Sequence, residues 1–221
     1  MRHENNKEIE HNKKQEKQEE EPPLYYYRTI QLFIINVGVY IITSILGHSF
    51  LITSDYVLVI LGVSKLSLYP LFWWQFITAM FTHASISHLL GNMIFLLFFG
   101  LKGEEIGLRN EIVKAYLLSG LVGNIISAII LPEYTVSVGA SGAVFGLMAF
   151  VIVELENKQL MKKKTALFLI LIFFVLSGGS AGSNIQVNVI SHFFGAVTGF
   201  LYGKYDLKKK AEKLSAKKIK K

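Results

Sequence analysis

The chain has 221 residues, of which 52% are hydrophobic, and its mean hydropathy is +0.42. This composition is too apolar for an ordinary soluble domain and predicts an all-α membrane domain with hydrophilic tails. The absence of cysteine excludes disulfides and thiolate chemistry. A formal charge of +7 would suit nucleic acid, but the lysines flank apolar segments and collect in the C-terminal tail. We therefore expect a lipid bilayer, and no nucleic acid, as the partner of this charge.

Three regions differ in composition. Residues 1–24 mix Glu, Lys, Gln and Asn with few apolar residues, which predicts a disordered hydrophilic tail. Residues 25–205 are predicted to form one membrane domain, and residues 206–221 a basic cytoplasmic tail. No stretch suggests a separate soluble domain.

Apolar stretches of about the length that crosses a bilayer recur along the membrane domain. The six predicted spans are 29–47, 84–101, 112–131, 136–153, 165–181 and 186–203. The connection 48–83 is also apolar, but Lys65 and Pro70 interrupt it. It is predicted to be a re-entrant or interfacial element embedded in the membrane, and not a seventh span.

Positive charges lie on alternate connections. Lys and Arg residues occur between spans two and three, between spans four and five, and after span six. The connections around Glu133 and over 181–188 contain neither residue. Because Lys and Arg mark the cytoplasmic side, we predict a multi-pass protein of the cell membrane with both termini in the cytoplasm.

This topology gathers polar residues at one depth. Spans two, four and six each begin at the outer surface and carry polar residues near that beginning: His88 and Asn92, then Ser141, then His192. Polar groups in a bilayer are costly and usually face a bundle interior or a wet cavity. The pattern therefore predicts one site built from three distant segments.

Small residues indicate how closely two of these spans pack. Gly142 and Gly146 form a Gly-x-x-x-Gly pattern on span four, and Gly195 and Gly199 repeat it on span six. Such pairs let membrane helices approach until their backbones nearly touch. His192 lies on the same helix face as the second pair, so close packing would deliver its imidazole to the serine of span four.

The residue types at this site suit acyl transfer. Ser141 is a poor nucleophile until a base such as neutral His192 takes its proton. Its position at a helix N-terminus, with backbone amides and a positive dipole end, favours a developing oxyanion. His88 and Asn92 lie at positions i and i+4 of one helix, so both can donate hydrogen bonds to that oxyanion. Phe145 can pack against the imidazole. The histidines lack a plausible ligand set, so neither a metal nor another cofactor is expected.

Each feature also has a plainer interpretation. Gly-x-Ser-Gly alone is more often a packing motif whose hydroxyl bonds the i−4 carbonyl. His192 alone could be a core histidine whose hydrogen bonds are satisfied. Asn92 alone could form an interhelical hydrogen bond, and His83 could anchor a loop. A small transporter or channel is a further alternative, although the polar groups cluster at one face without an intramembrane carboxylate. The conjunction of these residues at one depth favours the catalytic hypothesis.

Three motifs occur in order along the chain: His83 with His88-Leu-Leu-Gly-Asn92, then Gly139-Ala-Ser141-Gly142, then His192-Phe-Phe-Gly195-Ala-Val-Thr-Gly199. In order, spacing and topology they resemble the rhomboid family of intramembrane serine proteases. The resemblance covers roughly residues 29–203 and neither tail. It implies a six-transmembrane-helix bundle whose first loop lies partly in the membrane.

The resemblance also implies roles for the motif residues. Ser141 resembles the nucleophile and His192 the general base of a dyad without a third carboxylate. His88 and Asn92 resemble the oxyanion-stabilising side chains, together with the Ser141 backbone N–H. The implied substrates are transmembrane segments of other membrane proteins, cleaved near their outer ends. They would enter past the outer end of span five and the loop 182–188.

Two positions depart from the family pattern. The first loop has Trp74-Gln75 where rhomboids commonly have Trp-Arg, an arginine thought to support the loop. The family's glutamate and glycine closing span two are matched by Gly107 with either Glu104 or Glu105. The alternative within this family is a catalytically silent protein that binds transmembrane segments without cutting them. The substrate and the oligomeric state are not readable from the sequence.

Overall fold

A computed structural model of the protein describes residues 27–178 and 188–219. The regular secondary structure of this part of the chain is all helical, and it contains no β-strand. Its helices are α1 Arg28–Leu46, α2 Asp55–Leu61, α3 Gln75–Thr78, α4 Ile86–Glu105, α5 Arg109–Ile130, α6 Ser141–Asn157, α7 Lys163–Gly178 and α8 Val189–Ile219. The predicted disordered tail, 1–24, lies outside the described residues, as does the substrate-entry loop up to residue 187.

The predicted all-α bundle is confirmed. Each of the six predicted spans overlaps one long helix, namely α1 and α4 to α8. Among the described helices, α1, α4 and α5 are each long and apolar enough to cross a membrane. The first connection is broken up, as predicted, into α2, α3 and two short 3₁₀ turns.

Helix α6 lies at the centre of the bundle. Every residue from Ser141 to Leu155 is buried, which suits a helix that is apolar on all sides. Its most extensive contacts are with α8 and α5, and α4 packs on another side. The serine motif therefore opens the most enclosed helix of the protein.

The glycine pairs lie where α6 and α8 meet. A Cβ on Gly195 would collide with the backbone carbonyl of Gly142, and a Cβ on Gly199 with that of Gly146. Only hydrogen atoms separate the two backbones at these points. This close approach fixes the distance between the two helices.

The contacts also define the two ends of the bundle. Gly103 near the end of α4 packs against Ile112 of α5 and Val151 of α6. At the opposite end, Gly123 of α5 and Gly142 of α6 both pack against Ser191 of α8. The three motifs meet at this second end.

Gln75 supports the first connection in this chain. Its side chain is buried, with Oε1 accepting from Ser67 Oγ at 2.7 Å. Its Nε2 donates to the carbonyls of Val59 and Ile60 at 3.0 and 3.2 Å. The buried neutral amide thus has a partner for its oxygen and for its nitrogen, which avoids the free-energy cost of an unsatisfied buried polar group. The glutamine holds the loop together at the position where the family commonly has arginine.

The structure also decides between the two glutamates after span two. The Glu104 carboxylate accepts from the backbone amides of Arg28 and Thr29 at 3.1 and 2.7 Å, and from Thr29 Oγ1 at 2.6 Å. A carboxylate there caps the first turn of α1 and complements its positive dipole end. Glu105 lies on the surface, 2.8 Å from Lys102. Glu104 is therefore the buried structural residue, and Gly107 adopts a φ of +90° just beyond it.

Two helices differ in extent from the predicted spans. Span four begins at Ser141 and not at 136, because Ser137 pairs with Val63 through backbone hydrogen bonds of 2.9 Å in both directions. Helix α8 continues to Ile219, well past the predicted end of span six at 203. The predicted basic tail therefore continues the last helix, since its Lys, Ala, Leu and Glu residues are good helix formers. Lys210 of this extension bonds Glu154 of α6 at 2.9 Å.

Candidate active site

Ser141 is the first residue of α6, directly after the N-cap residue Ala140. The first hydrogen bond of the helix runs from Val144 N to Ala140 O at 2.9 Å. The amides of residues 141–143 therefore point out of the helix end without an intrahelical acceptor. The serine lies among backbone donors at a positive helix terminus.

Gly139 sets the turn that brings Ser141 into place. Its φ is +129°, a conformation that side chains with a Cβ rarely adopt. A Cβ there would also lie 2.7 Å from Cε1 of the His88 ring. Its amide donates to Ala79 O at 2.9 Å, which ties this turn to the end of the first connection.

The structure brings the two predicted catalytic residues to hydrogen-bonding distance. Ser141 Oγ lies 2.6 Å from His192 Nε2, although the residues are 51 positions apart. Both side chains are buried, with relative exposures of 7% and 4%. The hydroxyl is therefore engaged across the α6–α8 contact, which a packing motif bonded within its own helix would not require.

An aromatic ring of α6 packs against the imidazole, as expected. The Phe145 ring lies one turn along α6 from Ser141, with its centroid 4.5 Å from that of His192 and an interplanar angle of 31°. The Phe145 ring also packs against Phe173 of α7, with ring centroids 4.3 Å apart. Phe173 in turn packs against Phe95 of α4, with centroids 4.2 Å apart. This row of rings restricts the rotation of the histidine side chain.

The predicted oxyanion donors both lie on α4. The His88 ring packs against Gly139, two residues before Ser141. Asn92 is buried, and its Nδ2 donates to His88 O at 3.0 Å within α4. This hydrogen bond lies within α4, whereas the plainer interpretation of Asn92 is a hydrogen bond to another helix. An amide nitrogen carries two hydrogens, so a second donor remains.

His83 anchors the first connection, as its plainer interpretation proposes. The residue is fully buried, and its Nδ1 lies 3.2 Å from Phe81 O. Its carbonyl accepts from Thr53 Oγ1 at 2.6 Å. Its ring also meets His88 edge-on with centroids 5.3 Å apart. Through this contact the loop supports the histidine of span two.

Sequence reasoning missed a polar cluster around Asn188. Its Oδ1 accepts from Ser191 N at 3.0 Å, which caps the first turn of α8. Its Nδ2 donates to Ser127 Oγ at 3.0 Å and to Ser137 Oγ at 2.8 Å. These bonds join α8, α5 and the strand-like segment before Ser141. An Asn directly before an apolar stretch is a helix-start signal that could have revealed the cap.

No three His, Asp or Glu side chains in the described ranges converge in the way that a metal site requires. The groups that the structure brings together at the site are one hydroxyl, one imidazole, and the amide and imidazole donors of α4. With these groups an attacking oxygen can be deprotonated and a developing negative charge can be stabilised.

Comparison with known proteins then decides the family. Residues 70–209 match the Rhomboid domain. The chain belongs to the rhomboid family. This rhomboid is 36% identical over 186 residues to Rhomboid-like protein 11, chloroplastic, of Arabidopsis thaliana, a stretch that covers 76% of the chain and 61% of that relative. The matched region contains all three motifs, and the resemblance predicted from them is confirmed.

Two relatives carry the word protease in their names. Putative rhomboid protease YdcA of Bacillus subtilis is 33% identical over 131 residues, covering 58% of the chain and 65% of that protein. Rhomboid-like protease 3 of Toxoplasma gondii is 28% identical over 184 residues, covering 79% of the chain and 65% of that protein. The chain thus spans less than two thirds of each of these relatives. Family membership together with the apolar helices makes it an integral membrane protein.

Proposed function

We propose that this rhomboid is an intramembrane serine endopeptidase. The observation that carries the proposal is the 2.6 Å contact between Ser141 Oγ and His192 Nε2. A serine and a histidine buried at this distance form the minimal nucleophile–base pair of acyl transfer. Protease-named relatives in Bacillus subtilis and Toxoplasma gondii support the same reaction class.

The proposed reaction proceeds by acyl transfer. His192 Nε2 accepts the Ser141 proton while Oγ attacks the carbonyl carbon of the scissile peptide bond. When the tetrahedral intermediate collapses, the imidazolium returns the proton to the leaving amine. A water molecule, deprotonated by the same imidazole, then hydrolyses the acyl-enzyme and regenerates the hydroxyl of Ser141.

Several donors are available to the oxyanion of that intermediate. The amides that open α6 lie at the positive helix end, next to the attacking oxygen. The remaining amide hydrogen of Asn92 and the ring of His88 are the side-chain candidates on α4. Loss of one such donor typically lowers kcat about 10²- to 10³-fold.

The substrate class and orientation belong to the same proposal. The substrates are transmembrane segments of other membrane proteins, cut near their outer ends where a segment can unwind and expose a carbonyl. The alternation of basic connections supports a cytoplasmic location for both termini and for residues 206–221. We place the membrane domain at 25–205, the protein in the cell membrane, and residues 206–221 in the cytoplasm as a basic tail, whose described part to Ile219 continues α8.

The test is cleavage of a transmembrane substrate by the purified full chain in liposomes. We compare wild type with Ser141→Ala and His192→Asn, and use the exposed residues Ser215 and His48, as Ser215→Ala and His48→Asn, for matched controls. Wild type and both controls are expected to cleave near the outer boundary, whereas the two dyad variants are expected to be inactive. Labelling by a serine-directed fluorophosphonate should follow the same pattern.

The competing hypothesis is a rhomboid that binds transmembrane segments without cutting them. It predicts no cleavage and no labelling of a folded wild-type protein, together with substrate retention that Ser141→Ala leaves unchanged. Either labelling at another serine or equal cleavage by Ser141→Ala would refute the proposed nucleophile.

A further inference from the structure

A groove of about 370 Å³ lies between α1 and α5, at the end of the bundle opposite the Ser141 site. On α1, Arg28 and Gln31 come one turn before the apolar residues Leu32 and Ile35, whereas on α5 the apolar Val113 lies between Asn110 and Lys114. The groove therefore has two cationic side chains, Arg28 and Lys114, beside an apolar wall of Leu32, Ile35 and Val113.

Within the part of the chain that the structure describes, no carboxylate forms an ion pair with either cation of the groove. The Arg28 guanidinium donates to the neutral amide of Gln31 at 2.8 Å. Lys114 is exposed and forms no ion pair among residues 27–178 and 188–219. The groove thus presents two positive charges that are open to an external anion.

Two of the neighbouring carboxylates are engaged elsewhere. Glu105 pairs with Lys102 at 2.8 Å, so its charge is compensated. Glu104 accepts from the first amides of α1, where the positive end of that helix offsets part of its charge. These contacts reduce the repulsion that the two glutamates would exert on an anion between Arg28 and Lys114.

We propose that this groove binds an anionic phospholipid of the surrounding leaflet. The phosphate contacts Arg28 and Lys114, and an acyl chain lies along Ile35 and Val113. A basic recess between membrane helices at the cytoplasmic level offers the charge that attracts anionic headgroups. The apolar wall favours a lipid over a soluble anion, because an acyl chain gains from covering it. The binding step uses no residue of the Ser141 site and does not depend on the proposed proteolysis.

The site has a structural consequence for α1. This helix packs on α4 and α5, and Ile35 on its groove side remains 47% exposed. A lipid in the groove would fill the gap between α1 and α5 at the end where the two helices begin. Bound lipid is therefore expected to stabilise the folded chain, because it binds the native arrangement and not the unfolded one.

The experiment is native mass spectrometry of the full chain in neutral detergent, titrated with phosphatidylglycerol or with phosphatidylcholine of the same acyl chains. We compare wild type, Arg28→Gln/Lys114→Gln, and Lys208→Gln/Lys209→Gln. The last pair removes the same charge from the exposed extension of α8. Each cation removed from the groove is expected to weaken phosphatidylglycerol binding about fivefold, and the pair about 25-fold. The control variant Lys208→Gln/Lys209→Gln should change phosphatidylglycerol binding less than twofold.

Two further arms separate the possible sources of binding. Lys114→Gln alone leaves every described hydrogen bond intact and should weaken binding about fivefold, which keeps the test available if the double variant misfolds. Inorganic phosphate should not displace the lipid. The proposal is overturned if phosphatidylcholine binds wild type equally well, if the control pair loses as much as the groove pair, or if inorganic phosphate competes fully.

Discussion

The contact between Gly195 and Gly142 can be tested by adding a single methyl group. In Gly195→Ala the new Cβ would overlap the Gly142 carbonyl oxygen and lie 2.9 Å from its carbon, whereas ordinary contacts begin at 3.4 Å. The obstacle is backbone, so α8 must move away from α6 by about 1 Å. His192 is one turn from Gly195, and the same shift would stretch its 2.6 Å contact with Ser141 to about 3.6 Å, too long for a hydrogen bond.

The expected result is a loss of both stability and activity. Overpacking of this kind costs about 1–3 kcal/mol, and a 1 Å misplacement of catalytic groups lowers the rate about 10²-fold. The assay combines thermal unfolding in detergent with the rates of fluorophosphonate labelling and substrate cleavage. Gly38→Ala on α1 is the matched control, since no atom lies within 4 Å of a Cβ there. It should leave the labelling rate unchanged and raise stability by up to about 1 kcal/mol.

A second variant separates packing from chemistry. Gly199→Ala would collide with the Gly146 carbonyl in the same way but one turn further from His192. It should lower the unfolding temperature as much as Gly195→Ala and reduce the labelling rate less. If Gly195→Ala keeps both the wild-type unfolding temperature and the wild-type labelling rate, the inferred backbone contact is wrong.

Two other contacts lead to predictions. Asn188→Ala removes the cap of α8 and its bonds to two serines, which should lower stability by about 1–3 kcal/mol. Because His192 follows within the first turn, kcat should fall more than KM rises; an unchanged kcat in the folded variant would show that the cap does not position the base. Glu104→Gln removes the charged cap of α1 and should lower stability by about 1–2 kcal/mol. Glu105→Gln should change it by less than about 0.5 kcal/mol, and equal losses in thermal unfolding would contradict the assignment.

The sequence predicts well what depends on hydropathy and on helix periodicity. The six long helices are predicted from apolar stretches of about the length that crosses a bilayer. Their residues are favourable both in the core of the bundle and against lipid, so the prediction does not depend on how the helices pack. The distance between Ser141 and His192 follows from the glycine pairs, since small residues leave only one close way to pack α6 against α8. The family then follows from the order of the motifs.

Other features depend on which backbone atoms a side chain reaches, and sequence spacing does not determine that. Asn92 bonds the carbonyl of His88, and Asn188 reaches serines 51 and 61 positions away. The start of α6 at Ser141 depends on the pairing of Ser137 with Val63, a contact across 74 residues that leaves no local pattern. The choice of Glu104 over Glu105 likewise rests on the position of α1, which is set by tertiary packing.

The Glu104 cap has a consequence for the biosynthesis of the chain. The amides of Arg28 and Thr29 open the first long helix, yet the carboxylate that satisfies them comes 75 residues later than Thr29. During translation these amides can be solvated only by water or lipid headgroups until α4 has been made and inserted. Helix α1 therefore acquires its final position only after α4 has joined it. A mutation near Glu104 would then act as a defect in the maturation of the amino-terminal half.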